Sequence, residues 1–311
     1  MKRRKLIIDC DPGVDDATAL LLAFAAPDAL DILGVTVVAG NKGLARTARN
    51  ARIVRQIAGR ADVPVYAGCA RPMVREPVEA GEFHGPEGLG TLAVFEPDAP
   101  LAEGHAVDFI RRTLRAAHEA VTIAVTGPAT NLALALALEP AIAARIDEIV
   151  VMGGARSAGG NITASAEFNV FADPHAAHVL LTAGCRVTMF GLDATYQVLS
   201  TPERIAALEA TGTVAARASA ELMRFSNAIE ADPSRRAGAP LHDPCTIAWL
   251  LDPSLFIVSG AKIAVETNGG LAFGHTAVEF RAGPREVNAN WAVRADGAGV
   301  FALLNERLGS L

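Results

Sequence analysis

Four carboxylates lie close together near the start of the chain, in the segment Asp9-Cys10-Asp11-Pro12-Gly13-Val14-Asp15-Asp16. The apolar run before them predicts a strand over residues 5–10, and the pattern after them predicts a helix over residues 15–26. Pro12 and Gly13 supply the tight turn that brings carboxylates from the strand end and the helix start together. Clustered carboxylate oxygens of this kind suit a hard divalent cation.

Acidic residues at the start of a helix also have a simpler explanation, since Asp15 and Asp16 could cap the predicted helix and favour its positive end. Four carboxylates after an apolar strand nevertheless repel one another, and a bound cation relieves that repulsion. We therefore expect metal binding here. Asp9 shares a strand face with Asp11 and is expected to orient a metal ligand, whereas Cys10 faces the opposite side as a small core residue.

Short apolar runs alternate with helical patterns through the first two-thirds of the chain. Strands are predicted at residues 5–10, 32–38, 121–125, 148–152 and 187–190, and helices at residues 15–26, 42–58, 105–118, 131–138 and 174–182. This alternation predicts an α/β fold with an open, mostly parallel, doubly wound sheet. The strands are continuous apolar runs, which is typical of a sheet covered on both faces.

The pattern changes after about residue 200. Helices are predicted at 202–210 and 214–230, candidate antiparallel strands at 262–266, 276–280 and 286–291, and a final helix near 299–307. These elements are expected to extend the same sheet, so that residues 1–311 form a single domain. Two long loops rich in glycine and proline, at 70–100 and 153–169, are expected to border the functional site.

Composition excludes several classes of partner. A formal net charge of −6 offers no basic surface for nucleic acid or for an anionic membrane. The longest apolar stretches are far shorter than the roughly 20 residues needed to span a bilayer. The four cysteines show no metal-binding spacing, so reduced thiols in a cytoplasmic protein are expected.

The acidic segment resembles the DxDPGxDD signature of the inosine/uridine-preferring nucleoside hydrolases. Further pieces of that family's pattern follow in order, at Val38-Ala39-Gly40-Asn41, Thr126-Gly127-Pro128, Thr130-Asn131, Met152-Gly153-Gly154, Ala166-Glu167-Phe168-Asn169 and Leu241-His242-Asp243-Pro244. Each piece is weak alone, but their joint occurrence is highly specific. The resemblance implies a nucleoside hydrolase fold with a Rossmann-like core, and hydrolysis of ribonucleosides to ribose and free base.

The resemblance also implies a metal site. Asp11, Asp16 and Asp243 would bind Ca²⁺ together with the backbone carbonyl of Thr126, an oxygen-only set that suits this ion. Asp11 would in addition act as the general base that takes a proton from a metal-held water. A homodimer or homotetramer is implied by the family and by no pattern in the residues.

A second set of residues would contact the substrate, by the same resemblance. This set is Asp15, Asn41, His84, Met152, Asn161, Glu167, Phe168 and Asn169. Most of its polar members would hold the ribose, where surrounding oxygens stabilise the positive charge that develops as the glycosidic bond breaks. His84 would be a base-side or lid residue, and His242 would donate a proton to the departing base.

One stretch departs from the family's pattern. Many relatives carry a tyrosine that contacts the base before the Leu-His-Asp-Pro motif, but residues 224–238 contain none, and Tyr66 and Tyr196 are the only tyrosines of the chain. The purine-specific type of the family tends to stack the base on tryptophans, whereas Trp249 is expected to pack in a helix after the histidine motif. We therefore expect a preference for pyrimidine nucleosides or a broad specificity.

Alternative functions remain open at this point. A calcium-dependent nucleoside or ribose sensor without turnover would keep the same cage of oxygens, and a modified nucleoside could be the true substrate. A haloacid-dehalogenase-like phosphotransferase also places two aspartates after its first strand, but Pro12 and Gly13 and the scarcity of lysine argue against it. Fold alone does not decide between such functions.

Overall fold

The computed structural model describes residues 3–230 and 237–311. Within them the strands are β1 (Arg4–Cys10), β2 (Leu30–Val37), β3 (Val65–Ala67), β4 (Val121–Val125), β5 (Ile146–Met152), β6 (Val187–Phe190), β7 (Phe256–Val265), β8 (Thr276–Glu279) and β9 (Ala289–Ala295). The α-helices are α1 (Val14–Phe24), α2 (Leu44–Ile57), α3 (Ala106–Ala116), α4 (Thr130–Leu138), α5 (Phe168–Ala172), α6 (Pro174–Thr182), α7 (Leu192–Thr195), α8 (Pro202–Glu209), α9 (Val214–Ile229), α10 (Pro244–Leu251) and α11 (Gly297–Leu308).

The strands form one sheet in the order β3-β2-β1-β4-β5-β6-β9-β7-β8 across the described chain. Neighbours from β3 to β9 pair in parallel, and β7 pairs antiparallel with both β9 and β8. The expected open, mostly parallel sheet with antiparallel C-terminal additions is therefore confirmed. Strand order reverses between β1 and β4, and the crevice at such a reversal is where open α/β sheets bind ligands.

Strand β1 shows how the sheet is buried on both faces. Leu6, Ile8 and Cys10 point into one apolar cluster, while Ile7 points into the cluster on the opposite face. Alternation along the strand accordingly places Cys10 in the core, as expected, and turns Asp9 away from it. Helix α1 packs against α2, α9 and α10, so the carboxylates at its start are carried into the interior.

Several elements differ from the sequence-based expectation. Strand β3 and the short helices α5 and α7 had no predicted counterpart, because three to five residues are too few to show a period. Strand β7 begins at Phe256 rather than at 262, since Ser259 and Gly260 break the apolar alternation while their backbones still pair with β9.

The expected strand at 286–291 is wrong in its bounds and in part of its pairing. Strand β9 runs from Ala289 to Ala295, antiparallel to β7 and parallel to β6, where Thr188 faces Asn290 and Met189 faces Trp291. That parallel pairing joins segments about 100 residues apart, which no local pattern can reveal.

Candidate active site

Three carboxylates meet at the carboxyl edge of the sheet. Asp15 and Asp16 lie in the first turn of α1, and Asp243 lies immediately before α10. One oxygen from each lies within 4.8 Å of the others, so the three together could hold a metal ion. The sequence had assigned Asp15 to the sugar and Asp11 to this group, whereas the geometry brings Asp15 in directly.

Asp11 lies beside this group and is fully buried after β1. Its Oδ2 accepts a hydrogen bond of 2.6 Å from the backbone N–H of Asn41. Its Oδ1 is also buried and has no hydrogen-bond partner among the described residues. A buried carboxylate oxygen without a donor is costly, and a cation would compensate it.

Two glycines leave room for Asp11. A Cβ at Gly40 would collide with Asp11 Oδ2, and a Cβ at Gly127 would collide with Oδ1. Both glycines belong to pieces of the family pattern, so the sequence marked them without showing why a side chain is excluded. The structure supplies the reason, because the ends of β2 and β4 clamp the Asp11 carboxylate from two sides.

Asp16 is fixed by three donors. The backbone N–H of Gly13 and the side-chain amide of Asn41 donate to Oδ2, each at 3.0 Å, and the Thr126 hydroxyl donates to Oδ1 at 2.7 Å. Asn41 Nδ2 also donates to the backbone oxygen of Asp11. Asn41, expected to bind ribose, therefore orients two of the aspartates while its side chain lines the cavity.

Residues expected on the sugar side are locked together by hydrogen bonds. Glu167 caps α5, and its carboxylate accepts from the backbone N–H groups of Asn169, Val170 and Gly154 at 2.8, 3.1 and 2.9 Å. Asn169 Nδ2 donates to the carbonyl oxygen of Thr126 at 2.7 Å. Asn161 Oδ1 accepts from the backbone N–H of Phe168 at 2.9 Å, which fixes the wall that carries these groups.

Burial and mutual repulsion set the charge state of the aspartates. Burial raises the pKa of Asp16 from 3.8 to about 6, and the neighbouring Asp15 carboxylate adds to the shift. Burial, followed by repulsion from neighbouring aspartates, holds the pKa of Asp11 and of Asp243 well above the ordinary range. Such a site favours a bound cation, because a cation stabilises the ionised carboxylates that burial opposes.

Asp9 is fully buried and does not line the cavity. Its Oδ1 accepts from the Thr36 hydroxyl at 2.6 Å and from Asn131 Nδ2 at 2.8 Å, and burial raises its pKa to about 7. Asn131 also donates to the backbone oxygen of Val37. Asp9 thus ties β1 to β2 and to α4 beneath the aspartate cluster.

A cavity that opens to solvent lies beside the aspartates, with Asp15 and Asp243 in its wall; about 1060 Å³ of empty space lies between its walls when the open solvent at its mouth is included. It is lined by every residue that the sequence assigned to metal or substrate except Asp11 and Asp16, which lie buried behind it. The assigned residues in its wall are Asp15, Asn41, His84, Thr126, Met152, Asn161, Glu167, Phe168, Asn169, His242 and Asp243. Phe83 and Ile162 also line the cavity, and 60% and 36% of their surfaces are exposed, respectively.

His84 reaches the cavity from the long loop. Its Nδ1 accepts a hydrogen bond of 3.1 Å from the backbone N–H of Val14, at the start of α1. Burial lowers the pKa of His84 to about 4, so the ring is neutral near pH 7. With Nδ1 acting as the acceptor, the ring proton lies on Nε2, where it can be donated.

His242 lies in the wall of the cavity beside Asp243. Its Nδ1 is 2.8 Å from the hydroxyl oxygen of Thr195, and its ring lies against that of Tyr196, with centroids 5.7 Å apart. Tyr196 also lines the cavity, as does one face of α9 formed by Leu222, Met223, Ser226 and Ile229.

Sequence reasoning missed Tyr196 and most of this α9 face. The helical spacing of the α9 residues was a readable signal, since positions 222, 226 and 229 share one side of a helix. Part of the stretch in which a base-contacting tyrosine was sought, residues 231–236, lies outside the described residues. Trp249 packs on Phe190 and Phe256, as expected for a residue of a core helix.

None of the helices described is long and apolar enough to cross a membrane.

Comparison with known proteins agrees with this geometry. Residues 6–302 match the family described as inosine-uridine preferring nucleoside hydrolase. The chain is 41% identical over 297 residues to the inosine-uridine preferring nucleoside hydrolase of Crithidia fasciculata, covering 94% of this chain and 93% of that protein. It is also 41% identical over 307 residues to the pyrimidine-specific ribonucleoside hydrolase RihA of Photobacterium profundum, covering 98% of each.

A solved structure shares the whole fold. The purine-preferring ribonucleoside hydrolase from Gardnerella vaginalis superposes with a TM-score of 0.90 at 31% sequence identity, covering 98% of each chain. Together with the motif order and the aspartate cluster, these similarities show that the chain belongs to the inosine-uridine preferring nucleoside hydrolase family.

Proposed function

We propose that the chain hydrolyses the N-glycosidic bond of ribonucleosides, with a preference for pyrimidine nucleosides or a broad specificity, using a calcium-activated water. The observation that carries the proposal is the buried Oδ1 of Asp11, which has no hydrogen-bond partner among the described residues and lies behind a cavity that Asp15 and Asp243 line. His242 lines the wall of the same cavity. The cavity thus combines carboxylates for the water and the sugar with a proton donor for the base.

The oxygens in and behind this part of the cavity wall fit Ca²⁺. Asp11, Asp16, Asp243 and the carbonyl oxygen of Thr126 would hold the ion, all of them hard oxygen donors. The Thr126 carbonyl accepts one hydrogen bond from Asn169 and keeps a second lone pair. When bound, the cation would lower the pKa of a water held beside it.

Asp11 is the proposed general base. Its Oδ2 is held by the Asn41 N–H, which leaves Oδ1 to receive a proton from the attacking water. The clamp of Gly40 and Gly127 keeps this carboxylate in one orientation. A fixed base reduces the entropic cost of aligning the water with the anomeric carbon.

The ribose would be held between the aspartates at the start of α1 and the cavity wall that begins at α5. Asp15 and Asn41 on one side, and Asn161, Glu167 and Asn169 on the other, would hydrogen-bond the ribose hydroxyls. Both Asp15 and Glu167 line the cavity, and burial raises the pKa of each. When ionised, their carboxylates would stabilise the positive charge that develops on the ribose. Met152 and Phe168 would give the apolar surface beneath the ring.

The base would lie between His242, Tyr196 and the α9 face, with His84 on the loop side. His242 would give its Nε2 proton to the departing base. Neither Trp249 nor Trp291 lines the cavity, so no tryptophan of the chain is placed to stack a purine. The pyrimidine-specific activity in the name of the Photobacterium relative supports the same preference.

We also propose that the protein is cytoplasmic and forms a homodimer or homotetramer. The four cysteines form no disulfide in the structure, which fits a reducing compartment. The oligomeric state is carried over from the family alone, and light scattering at several protein concentrations measures it.

Ribose release from uridine, cytidine, inosine, adenosine and guanosine tests the proposed activity. We expect release with Ca²⁺, fastest for the two pyrimidine nucleosides, and loss of release after chelation that is restored by added Ca²⁺. Mg²⁺ added at the same concentration serves as the matched control for the ion. Calorimetric binding of nucleosides without release would favour the sensor or a modified substrate.

A further inference from the structure

Two consecutive residues at the end of α7 both contact His242. The Thr195 hydroxyl oxygen lies 2.8 Å from His242 Nδ1, and the Tyr196 ring is tilted by 59° against the imidazole. Thr195 is fully buried, whereas Tyr196 and His242 line the cavity. The imidazole therefore has a buried hydroxyl on one edge and an aromatic ring against it.

The backbones that carry these contacts are tied together. Thr195 and Tyr196 close α7 by donating their N–H groups to Gly191 and Leu192. Just beyond them, the N–H of Leu241 donates to the carbonyl of Val198 at 2.8 Å. The segment that ends at His242 is thus bonded to the segment that follows Tyr196, so the hydroxyl and the imidazole are held at a fixed separation.

We propose that Thr195 is a positioning residue for the reaction, one that holds His242 so that its Nε2 edge is presented to the leaving base. This inference rests on the proposed function. In the imidazolium, and in the neutral ring that remains once the Nε2 proton has left, Nδ1 keeps its own proton, so the Thr195 hydroxyl oxygen accepts the same hydrogen bond before and after the step. The Tyr196 ring packs against the imidazole and restricts its rotation.

Bonds and protons balance in the proposed hydrolysis step. The electron pair of the C1′–N bond passes to the base, and the base takes the Nε2 proton of the His242 imidazolium, which leaves a neutral ring protonated on Nδ1. The oxygen of the attacking water bonds to C1′, and one proton of that water passes to Asp11. Thr195 exchanges no proton with the substrate, so its contribution is confined to the orientation of the imidazole.

The test compares Thr195→Val, which keeps the shape of the side chain, with Thr195→Ser, which keeps the hydroxyl. Each is assayed on uridine and on 4-nitrophenyl β-D-ribofuranoside, whose leaving group needs no proton. For Thr195→Val we expect kcat on uridine to fall about 10- to 100-fold while the nitrophenyl substrate changes about twofold or less. Thr195→Ser should restore most of the uridine rate.

Equal losses on both substrates would show that Thr195 supports only packing, and so would an unchanged uridine rate in Thr195→Val. The nitrophenyl rate also reports whether the variant is folded, and Thr195→Ala provides the same comparison should the valine variant fail to fold. The double variant Thr195→Val/His242→Ala should be no slower on uridine than His242→Ala alone, since both changes remove one effect. A further loss in the double variant overturns the inference.

His242→Ala separates this inference from the proposed function. If it slows both substrates equally, the proton-donor role of His242 fails, and the inference fails with it. A second outcome is that His242→Ala slows the hydrolysis of uridine far more than that of the nitrophenyl substrate, while Thr195→Val slows the hydrolysis of neither. The proposed function then stands, and only the positioning role of Thr195 is overturned.

Discussion

Asp11, Asp15 and Asp16 follow one turn of the chain but differ in their contacts: Asp11 and Asp16 are buried, whereas Asp15 is partly exposed in the cavity wall. Among the described residues, the Asp16 carboxylate accepts three hydrogen bonds, and the Asp11 carboxylate accepts one and keeps one oxygen without a partner. The sequence placed all three correctly at one turn, because their spacing around Pro12-Gly13 is local. It could not distinguish their contacts, since these come from β2 and β4.

The raised pKa values predict how calcium changes stability with pH. In Asp16 the folded-state pKa is about 6, above its ordinary value of 3.8, and burial raises the pKa of Asp11 and Asp243 as well. A raised pKa stabilises the metal-free fold at low pH, and this contribution is lost as pH rises through about 6. Calcium needs the ionised carboxylates, so it should offset that loss.

We therefore expect the rise in Tm caused by Ca²⁺ to be larger at pH 7.5 than at pH 5. Thermal unfolding with excess Ca²⁺ and with chelator, at both pH values, measures this difference. Other groups titrate over the same range, but they contribute to both curves at a given pH and cancel in the comparison. A Tm rise that is independent of pH would disprove the link between these carboxylates and the ion.

At the scale of the elements, the site depends on where strands end. The carboxyl ends of β1, β2 and β4 bring Asp11, Asn41 and Thr126 together, and the α5 wall closes the other side through Asn169. This much could be predicted from the sequence, because functional residues directly follow apolar runs and parallel strands end at one edge.

Other parts of the site could not be predicted from local patterns. Thr195 and His242 are 47 positions apart, and α7 is a single turn with no periodic signal. The α9 face was not predicted, because the tyrosine expected in residues 224–238 is absent from the sequence. Tyr196, which follows α7, lines the cavity instead. Contacts between distant segments depend on the packing of whole elements, which the order of residues alone does not specify.

The clamp around Asp11 gives a prediction at this scale. Gly127→Ala would force its Cβ against Asp11 Oδ1, so the carboxylate would have to move, and the proposed calcium site would lose a ligand. We expect calcium affinity to fall at least about tenfold, as measured by calorimetry. Gly269→Ala is the matched control, since a Cβ there meets nothing within 4 Å, and it should bind calcium like the wild type. Equal affinities in the two variants would refute the clamp.

In the molecule as a whole, the sheet brings the groups proposed for water activation and for leaving-group protonation to one cavity. The reversal of strand order between β1 and β4 opens the crevice, and the C-terminal elements close it, because Asp243 and His242 come from the segment before α10. The mostly parallel sheet was predictable from the sequence, whereas the order of its strands and the insertion of β9 beside β6 were not. A single side chain, Asp11, connects the proposed metal site to the proposed chemistry.

Asp11 is proposed to be both the base for the attacking water and a ligand of the calcium ion. This dual role is tested by ribose release from uridine by Asp11→Asn at a Ca²⁺ concentration that calorimetry shows to be saturating for that variant. Asp9→Asn is the control, because it introduces the same amide at a buried position two residues earlier in the chain and keeps an acceptor for Thr36 and Asn131. We expect calcium-loaded Asp11→Asn to lose at least about 10³-fold in kcat, while Asp9→Asn loses no more than about 100-fold. Turnover by calcium-loaded Asp11→Asn at a rate near that of the wild type would rule out Asp11 as the base.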